Sequence, residues 1–379
     1  MRILHLHWAF FPVCGGVESH LETLLSELTC KGHEVELVTG TYHCSWPAGD
    51  QRCGLSYSRI LDLNFRESLE DADHDFLQEK INNAEIVHFH NLHYFDYNRA
   101  RLILGMFGQS GNFAFHTIHE SWSEGVNREI LDWKGWSNQF VISNYIRTSL
   151  IKNGHEFRYK LIKYAAGSQF ESKQLMQEAR DVLFSGIEGF VVLHPARLLP
   201  WKGANVSIRA LEMLVSEGYD VYLILTDTPE VLDWTRELGK YESEIRDLVS
   251  SLRPDVRDRI MIKTFNRKDI PTLFKAADVI IYPTTGEEPF GVVPVEAIFS
   301  ERVPVVSDSG GLTETVCHEQ NGLVVKADDV DDLKSALVRL YNSQGLRERL
   351  ISGGKNIRDE YSPSDMANLH LAMYENAKR

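Results

Sequence analysis

Short apolar runs alternate with stretches of helical periodicity along almost the whole 379-residue chain. That alternation limits the available folds more than any other feature. A strand, a helix and a second strand in succession imply parallel pairing, because the helix carries the chain back along the sheet. Residues 2–8 read as a first strand, followed by a Gly15-Gly16 turn and a helix. On that helix Val17, Leu21, Leu24, Leu25 and Leu28 form one apolar stripe, with Glu18, Glu22 and Glu27 on the outer face. Gly32 ends it, and residues 34–39 form the next strand. Further strands are expected at 86–90, 113–118 and 139–143, then a helix at 144–152. The pattern weakens from about residue 165 to 189 and then resumes. Strands are expected at 190–194, 221–226, 260–264, 279–282 and 303–307, and helices at 204–215, 270–275, 330–341, 346–351 and 363–378. The expected architecture is α/β, with two Rossmann-like halves facing across a cleft.

This division suits the length, since a chain of 379 residues exceeds the usual single core. The boundaries read as 1–166 for the first domain, 167–189 for a linker and 190–360 for the second domain. Residues 361–379 form a terminal helix that packs back onto the first. A formal net charge of −14 argues against nucleic-acid partners and anionic membrane surfaces. No apolar run approaches the length of a membrane helix, and the first eight residues alternate too regularly for a secretory leader. Five cysteines in no metal-type cluster, with no such leader, fit a reducing cytosol. A cytoplasmic monomer or homodimer without stable membrane insertion is the expectation.

Candidate chemistry gathers where strands end. Glu288 and Glu296 stand eight positions apart, between a strand stopped by Pro283 and a helix whose first turn suits Pro294. Glu288 falls on the loop and Glu296 in the first helical turn, both at the carboxyl end of a parallel sheet, where open α/β folds bind ligands. Carboxylates there accept hydrogen bonds from vicinal hydroxyls, which suits a sugar or a ribose. A lone glutamate at such a place is ordinarily a dipole or capping partner, so the pair draws its meaning from its neighbours. Arg197 and Lys202 follow the first strand of the second half, and a planar fork with a compact cation suits a diphosphate. Ser309-Gly310-Gly311 makes another glycine turn at a strand end, with Glu314 placed to complete a capping box. In the first half, Gly15 and Gly16 permit close approach to a bound group at a helix N-terminus. The dinucleotide fingerprint and the P-loop spelling are both missing. His119 ends a strand, as do His88 and His90, but no metal-ligand spacing accompanies them, and no metal or cofactor is expected. Asp73-His74-Asp75 lies in a charged surface stretch.

Taken together, Arg197 to Gly203, the Glu288-to-Glu296 stretch, Ser309 to Glu314 and Asn321-Gly322-Leu323-Val324 resemble the retaining GT-B glycosyltransferases of family 4, the glycosyl transferases group 1. The likeness runs from Gly15-Gly16 to the terminal helix. It implies a nucleotide-diphospho-sugar donor held mainly by the C-terminal domain and transfer to a hydroxyl with retention. By the same resemblance Arg197 and Lys202 neutralise the diphosphate. Glu296 accepts from the ribose. Glu288 contacts donor-sugar hydroxyls, with the backbone of Phe290, Gly291 and Val292 nearby. Gly15 and Gly16 touch the diphosphate, His119 lies near the donor sugar, and Asn266 and Arg267 sit where the base is held. One departure stands out: Thr226-Asp227-Thr228 replaces the family's usual glycine turn, which puts base and ribose contacts there in doubt. On the acceptor side His93, Tyr94, Glu120 and Trp122 suit a small polar or sugar-like ring. Asp96, Glu120 and Glu124 suit an amine-bearing acceptor of the aminocyclitol type, and polysaccharide or natural-product assembly is the corresponding setting. Two alternatives stay open, a catalytically silent nucleotide-sugar-binding subunit and a nucleotide-sugar epimerase of the same fold.

Overall fold

Strand β1 (Arg2–His7) is buried along all but its first residue, as a central parallel strand covered on both faces must be. The first sheet continues through β2 (Glu34–Gly40), β3 (Ser56–Ile60), β4 (Ile86–His90), β5 (Phe113–Ile118), β6 (Trp136–Val141) and β7 (Lys160–Leu161). The structure, a computed structural model, describes all residues except 12, 14, 41–55, 61–70, 110, 121–126, 156–158, 172–174, 185–186 and 228–237. The strand order is β3-β2-β1-β4-β5-β6-β7, with every pairing parallel. The second sheet holds β8 (Phe190–His194), β9 (Val221–Asp227), β10 (Ile260–Thr264), β11 (Val279–Tyr282), β12 (Val303–Ser307) and β13 (Leu323–Val325) in the order β10-β9-β8-β11-β12-β13. Its pairings are parallel as well. In both sheets the chain reverses its direction of travel beside the first strand, between β1 and β4 and between β8 and β11. Open α/β sheets bind ligands at such switch points.

The chain divides into two compact units, 1–165 with 362–379 and 166–361. Residues 167–189, read as a linker, group with the second unit and carry a 3-10 turn (Ser168–Glu171) and a helix (Met176–Leu183). Arg180 of that helix pairs with Asp278 at 2.5 Å and donates to the Ala276 carbonyl. This polar anchoring leaves little apolar periodicity to read. The last helix (Pro363–Ala377) belongs to the first unit. Its Met366, Ala367 and Tyr374 pack into one core with Leu21, Leu24, Leu25 and Leu28 of the helix Gly16–Cys30. Ser362 caps it by accepting from the Asp365 N–H, with Pro363 at its first position.

Most expected strands stand where the periodicity put them. The strand expected at 139–143 begins earlier, at Trp136, and three short or edge strands (β3, β7, β13) were not expected. No helix among the described residues is long and apolar enough to cross a membrane.

Candidate active site

The loops that follow β8 and β11 are joined through their backbones. Gly203 has φ +80°, and a Cβ added there would overlap the Pro283 carbonyl oxygen. Only glycine suits both conditions. Beside this contact the Thr285 N–H donates to the Trp201 carbonyl at 2.9 Å. The joined loops bring Lys202 and Glu288 together although 86 residues separate them, with Nζ 2.6 Å from Oε2. Lys202 is 6% exposed and Glu288 9%. Such a buried ion pair holds only where further bonds offset desolvation, and here they are present. The Lys202 ammonium also donates to the Tyr282 hydroxyl and lies 3.7 Å from the centre of the Trp201 ring. The Tyr282 hydroxyl in turn donates to the same Glu288 oxygen at 2.9 Å. Burial first, then the Glu288 charge, push the Tyr282 hydroxyl well above its ordinary range, against the opposing charge of Arg197. It therefore stays protonated and donating. Arg197 is half-buried.

The Ser309-Gly310-Gly311 turn steadies the Glu288 loop from the other side. The Gly311 N–H donates to the Glu288 carbonyl at 2.7 Å, and Ser309 Oγ donates to the Gly286 carbonyl at 2.7 Å. Gly310 has φ +55°, and a Cβ there would overlap the Glu288 carbonyl oxygen. The capping box expected from Glu314 is not formed, since the short helix Leu312–Thr315 has no side-chain cap. Asn321 ties its own turn, accepting from Cys317 N–H at 2.7 Å and donating to the Thr315 carbonyl at 2.9 Å.

Gly291, with φ +80°, opens the helix Val292–Phe299, whose N-terminus has no side-chain cap. Phe290 is buried beside it. Glu296 lies in the second turn of this helix, not the first as the sequence suggested, because the helix starts at Val292 and not at Pro294. Desolvation pushes the Glu296 carboxyl up to about 7, with the Arg267 charge opposing. Arg267 is half-buried and Asn266 exposed, its amide donating to Asp269 at 3.1 Å. The residues that replace the expected glycine turn are engaged internally. Thr226 Oγ1 donates to the Ala196 carbonyl at 3.2 Å, and Asp227 pairs with Arg246 at 2.6 Å. Thr228 lies outside the described residues.

In the first unit the candidate residues are more deeply held. Gly15 precedes the helix that starts at Gly16, and Gly16 is exposed. Glu18, assigned from sequence to the outer face, is 4% exposed and lies 3.3 Å from His7 Nε2. Its carboxylate folds back toward Gly15, so the positive end of this helix already has an acidic partner. His119 is internal. Its Nε2 stands 2.9 Å from His90 Nδ1 and its Nδ1 2.5 Å from the Tyr164 hydroxyl. Burial, then the neighbouring His20, hold this imidazole well below its ordinary range, so it is neutral. His93 is likewise internal, bonded to His116 at 3.2 Å and to the Glu120 carbonyl at 3.1 Å. It does not present its ring to solvent as an acceptor platform would. Tyr94 and Glu120 are half-buried. Asp96 caps the helix Tyr97–Gly105 through the Arg99 N–H. Trp122 and Glu124 lie outside the described residues.

His5, His88 and His90 bring ring nitrogens within 4.8 Å of one another, the one group with metal-ligand composition among the described residues. Their geometry fits a hydrogen-bond network better than a shared ion. His88 and His90 stack with centroids 4.4 Å apart, and both nitrogens of His88 are taken, by Tyr374 at 2.5 Å and Thr117 at 2.7 Å.

Residues 176–357 match the family described as glycosyl transferases group 1. The chain carries a glycosyl transferases group 1 domain. An uncharacterized glycosyltransferase of Methanocaldococcus jannaschii is 23% identical over 99% of this chain and 98% of its own length. A D-inositol 3-phosphate glycosyltransferase of Jonesia denitrificans is 26% identical over 53% of this chain and 46% of its own. Among solved structures, Anabaena HepE in complex with UDP and glucose has a TM-score of 0.80 at 19% identity, over 99% of each chain. A Rickettsia africae glycosyltransferase has a TM-score of 0.79 at 16% identity, over 100% of this chain and 98% of its own. At such identities the structural likeness establishes the fold, a two-domain GT-B arrangement.

Within the glycosyltransferase domain, sequence reasoning located Lys202 and Glu288 but missed what binds them together. Tyr282 read as the last apolar residue of a strand, and Trp201 as a neighbour of the cation. The available signal was an aromatic pair flanking a lysine and a glutamate at two adjacent strand ends.

Proposed function

We propose that this protein transfers a glycosyl group from a nucleotide-diphospho-sugar to a hydroxyl of a small polar or sugar-like acceptor, with retention at the anomeric carbon. The observation that carries this reading is the caged Lys202 ammonium beside Glu288, at the switch point of the second sheet. Arg197 stands near the same Tyr282 and Glu296 on the adjoining helix. The group 1 family match spans these residues, and HepE, which has the same fold, was solved with UDP and glucose.

In this mechanism the bond from the sugar to the diphosphate lengthens first, and negative charge grows on the departing phosphate. Lys202, Arg197 and the uncapped N-terminus of the helix Val292–Phe299 stabilise that charge electrostatically, which requires no metal ion. The departing phosphate takes the acceptor's hydroxyl proton as the new bond forms on the same face. No side chain at the site is assigned as a nucleophile. Glu296, ionised, accepts from the ribose hydroxyls, and Arg267 beside it lies toward the base. Glu288 holds Lys202 and reaches the sugar hydroxyls with its remaining acceptor capacity.

The test is a panel of nucleotide-sugars and sugar or cyclitol acceptors, with release of nucleoside diphosphate and the product's anomeric configuration read by NMR. Retained configuration is expected. Inversion would remove the retaining assignment, and donor binding without turnover on any acceptor would favour a silent binding subunit. Arg197→Ala and Lys202→Ala are each expected to lower kcat by about 100-fold or more, the usual scale for removing a charge-stabilising donor. Unchanged turnover in either variant contradicts its role.

A further inference from the structure

Glu288 Oε2 receives two donors at once, the Lys202 ammonium at 2.6 Å and the Tyr282 hydroxyl at 2.9 Å, and the same hydroxyl oxygen accepts from Lys202. The three groups form a closed triangle with the Trp201 ring 3.7 Å from the ammonium. Tyr282 is 5% exposed, and its ring meets His194 edge-on at 6.3 Å between centroids.

We infer that Tyr282 is a positioning residue for the diphosphate, holding the Lys202 ammonium in place by sharing the carboxylate oxygen that would otherwise neutralise it. This rests on the donor reading given above and extends it to a residue that touches neither sugar nor phosphate in that reading. The physical argument concerns competition. A buried lysine paired with one carboxylate is already satisfied, and a phosphate reaching it must displace that partner. A second donor on the same carboxylate oxygen draws on its lone pairs and weakens its hold on the ammonium. The hydroxyl's own lone pair meanwhile supplies a neutral acceptor that fixes Lys202 without cancelling its charge. The Trp201 ring does the same from the other side, since a π face attracts a cation and leaves its net charge intact. Burial and the Glu288 charge keep the hydroxyl protonated, so this arrangement persists across ordinary pH.

Phenylalanine at this position keeps the ring, its contact with His194 and its packing, and removes only the hydroxyl. Nucleoside diphosphates and their monophosphates separate a positioning effect from a structural one, because only the diphosphate extends to the phosphate that Lys202 serves. The experiment is calorimetric titration of the full-length protein with UDP, GDP and ADP and with UMP, GMP and AMP, followed by the productive pair on variants. Wild type is expected to bind one diphosphate at least tenfold more tightly than its monophosphate. Tyr282→Phe is expected to lose about tenfold in diphosphate affinity with monophosphate affinity unchanged, the scale of one charge-assisted hydrogen bond. In a Lys202→Ala background, Tyr282→Phe is expected to cost nothing further, because the hydroxyl acts through the ammonium. Thermal unfolding of each variant checks folding, and monophosphate affinity measured on the same preparation reports whether the site is intact.

If Lys202→Ala abolishes the diphosphate preference while Tyr282→Phe binds like wild type, the positioning role is wrong and the donor reading stands. Equal losses for diphosphate and monophosphate in Tyr282→Phe also overturn it, since they indicate general damage to the site. If wild type shows no diphosphate preference, the donor reading itself fails and the role of Tyr282 fails with it.

Discussion

The two units share a parallel, doubly wound plan and differ in the balance of polar groups they bury, histidine in the first and paired charge in the second. The first hides His5, His7, His20, His88, His90, His93, His116, His119, His155 and His370, whereas the second hides His194 alone. The second instead buries the pair Lys202 and Glu288 where strands end, with the half-buried Glu296 on the helix that follows. In the first unit the polar groups lie along the strands, bonded largely to each other, as in the run His5–His90–His119–Tyr164. In the second they stand at the switch point, fixed by loops tied backbone to backbone. The same architecture thus supports an internal neutral network along the strands in one case and a buried ion pair at the strand ends in the other. The practical difference is the sign of their coupling to protons.

The largest effect expected from this contrast is acid lability of the first unit. Burial lowers His5 and His93 to about 3 and His370 to about 4, from an ordinary 6.5. The unfolded chain therefore binds protons below pH 6.5 that the folded chain refuses, so stability is intact above 6.5 and is lost as pH falls toward the folded values. Each such imidazole costs about 1.4 kcal/mol per pH unit across that window. All three act in the same direction, so acid weakens the unit that holds them. In the second unit His194, also lowered to about 3, contributes one such term, and Glu296 acts the other way. Its folded value near 7 lies above the ordinary 4.5, so its contribution is fully present below 4.5 and is lost as pH rises through 7. Pulsed hydrogen exchange at descending pH should show residues 1–165 losing protection before 190–361. Simultaneous loss, or the reverse order, would break the comparison.

A second test confines damage to the other unit. Gly203→Ala places a side chain at positive φ against the Pro283 carbonyl, with an expected loss of at least about 2 kcal/mol. Exchange protection in 1–165 should be unaffected, and loss there would mean that the units do not respond separately. The smallest effect concerns Glu296. If it accepts from ribose only when ionised, donor KM falls several-fold as pH rises from 6 to 8, and Glu296→Gln flattens that dependence. An equally steep profile in the variant would assign the titration to another group.

The sequence disclosed the fold because parallel strands buried on both faces are written as apolar runs, and β4, β5, β8, β11 and β12 stand where those runs lie. It disclosed less where structure rests on few residues or on polar bonds. β7 has two residues and β13 three, too few for any period. The helix Met176–Leu183 is anchored by Arg180 to Asp278, a long-range ion pair with no local signature. For the candidate site, residue type singled out Arg197, Lys202, Glu288 and Glu296, and the structure joins Lys202 to Glu288. Orientation was not legible. Glu18 looked like a surface residue in a first turn and is buried against His7, and His93 and His119 looked accessible and are internal. In each case a partner distant in sequence decides where the side chain points.

The contact between Gly203 and the Pro283 carbonyl bears on how this protein can change. The segments bearing the cation and the carboxylate share one seam with no slack, so neither can be lengthened or re-aimed without moving the other. A change that re-aims the cation or the carboxylate would then have to leave this seam intact, so variation of the site falls on side chains and not on loop length.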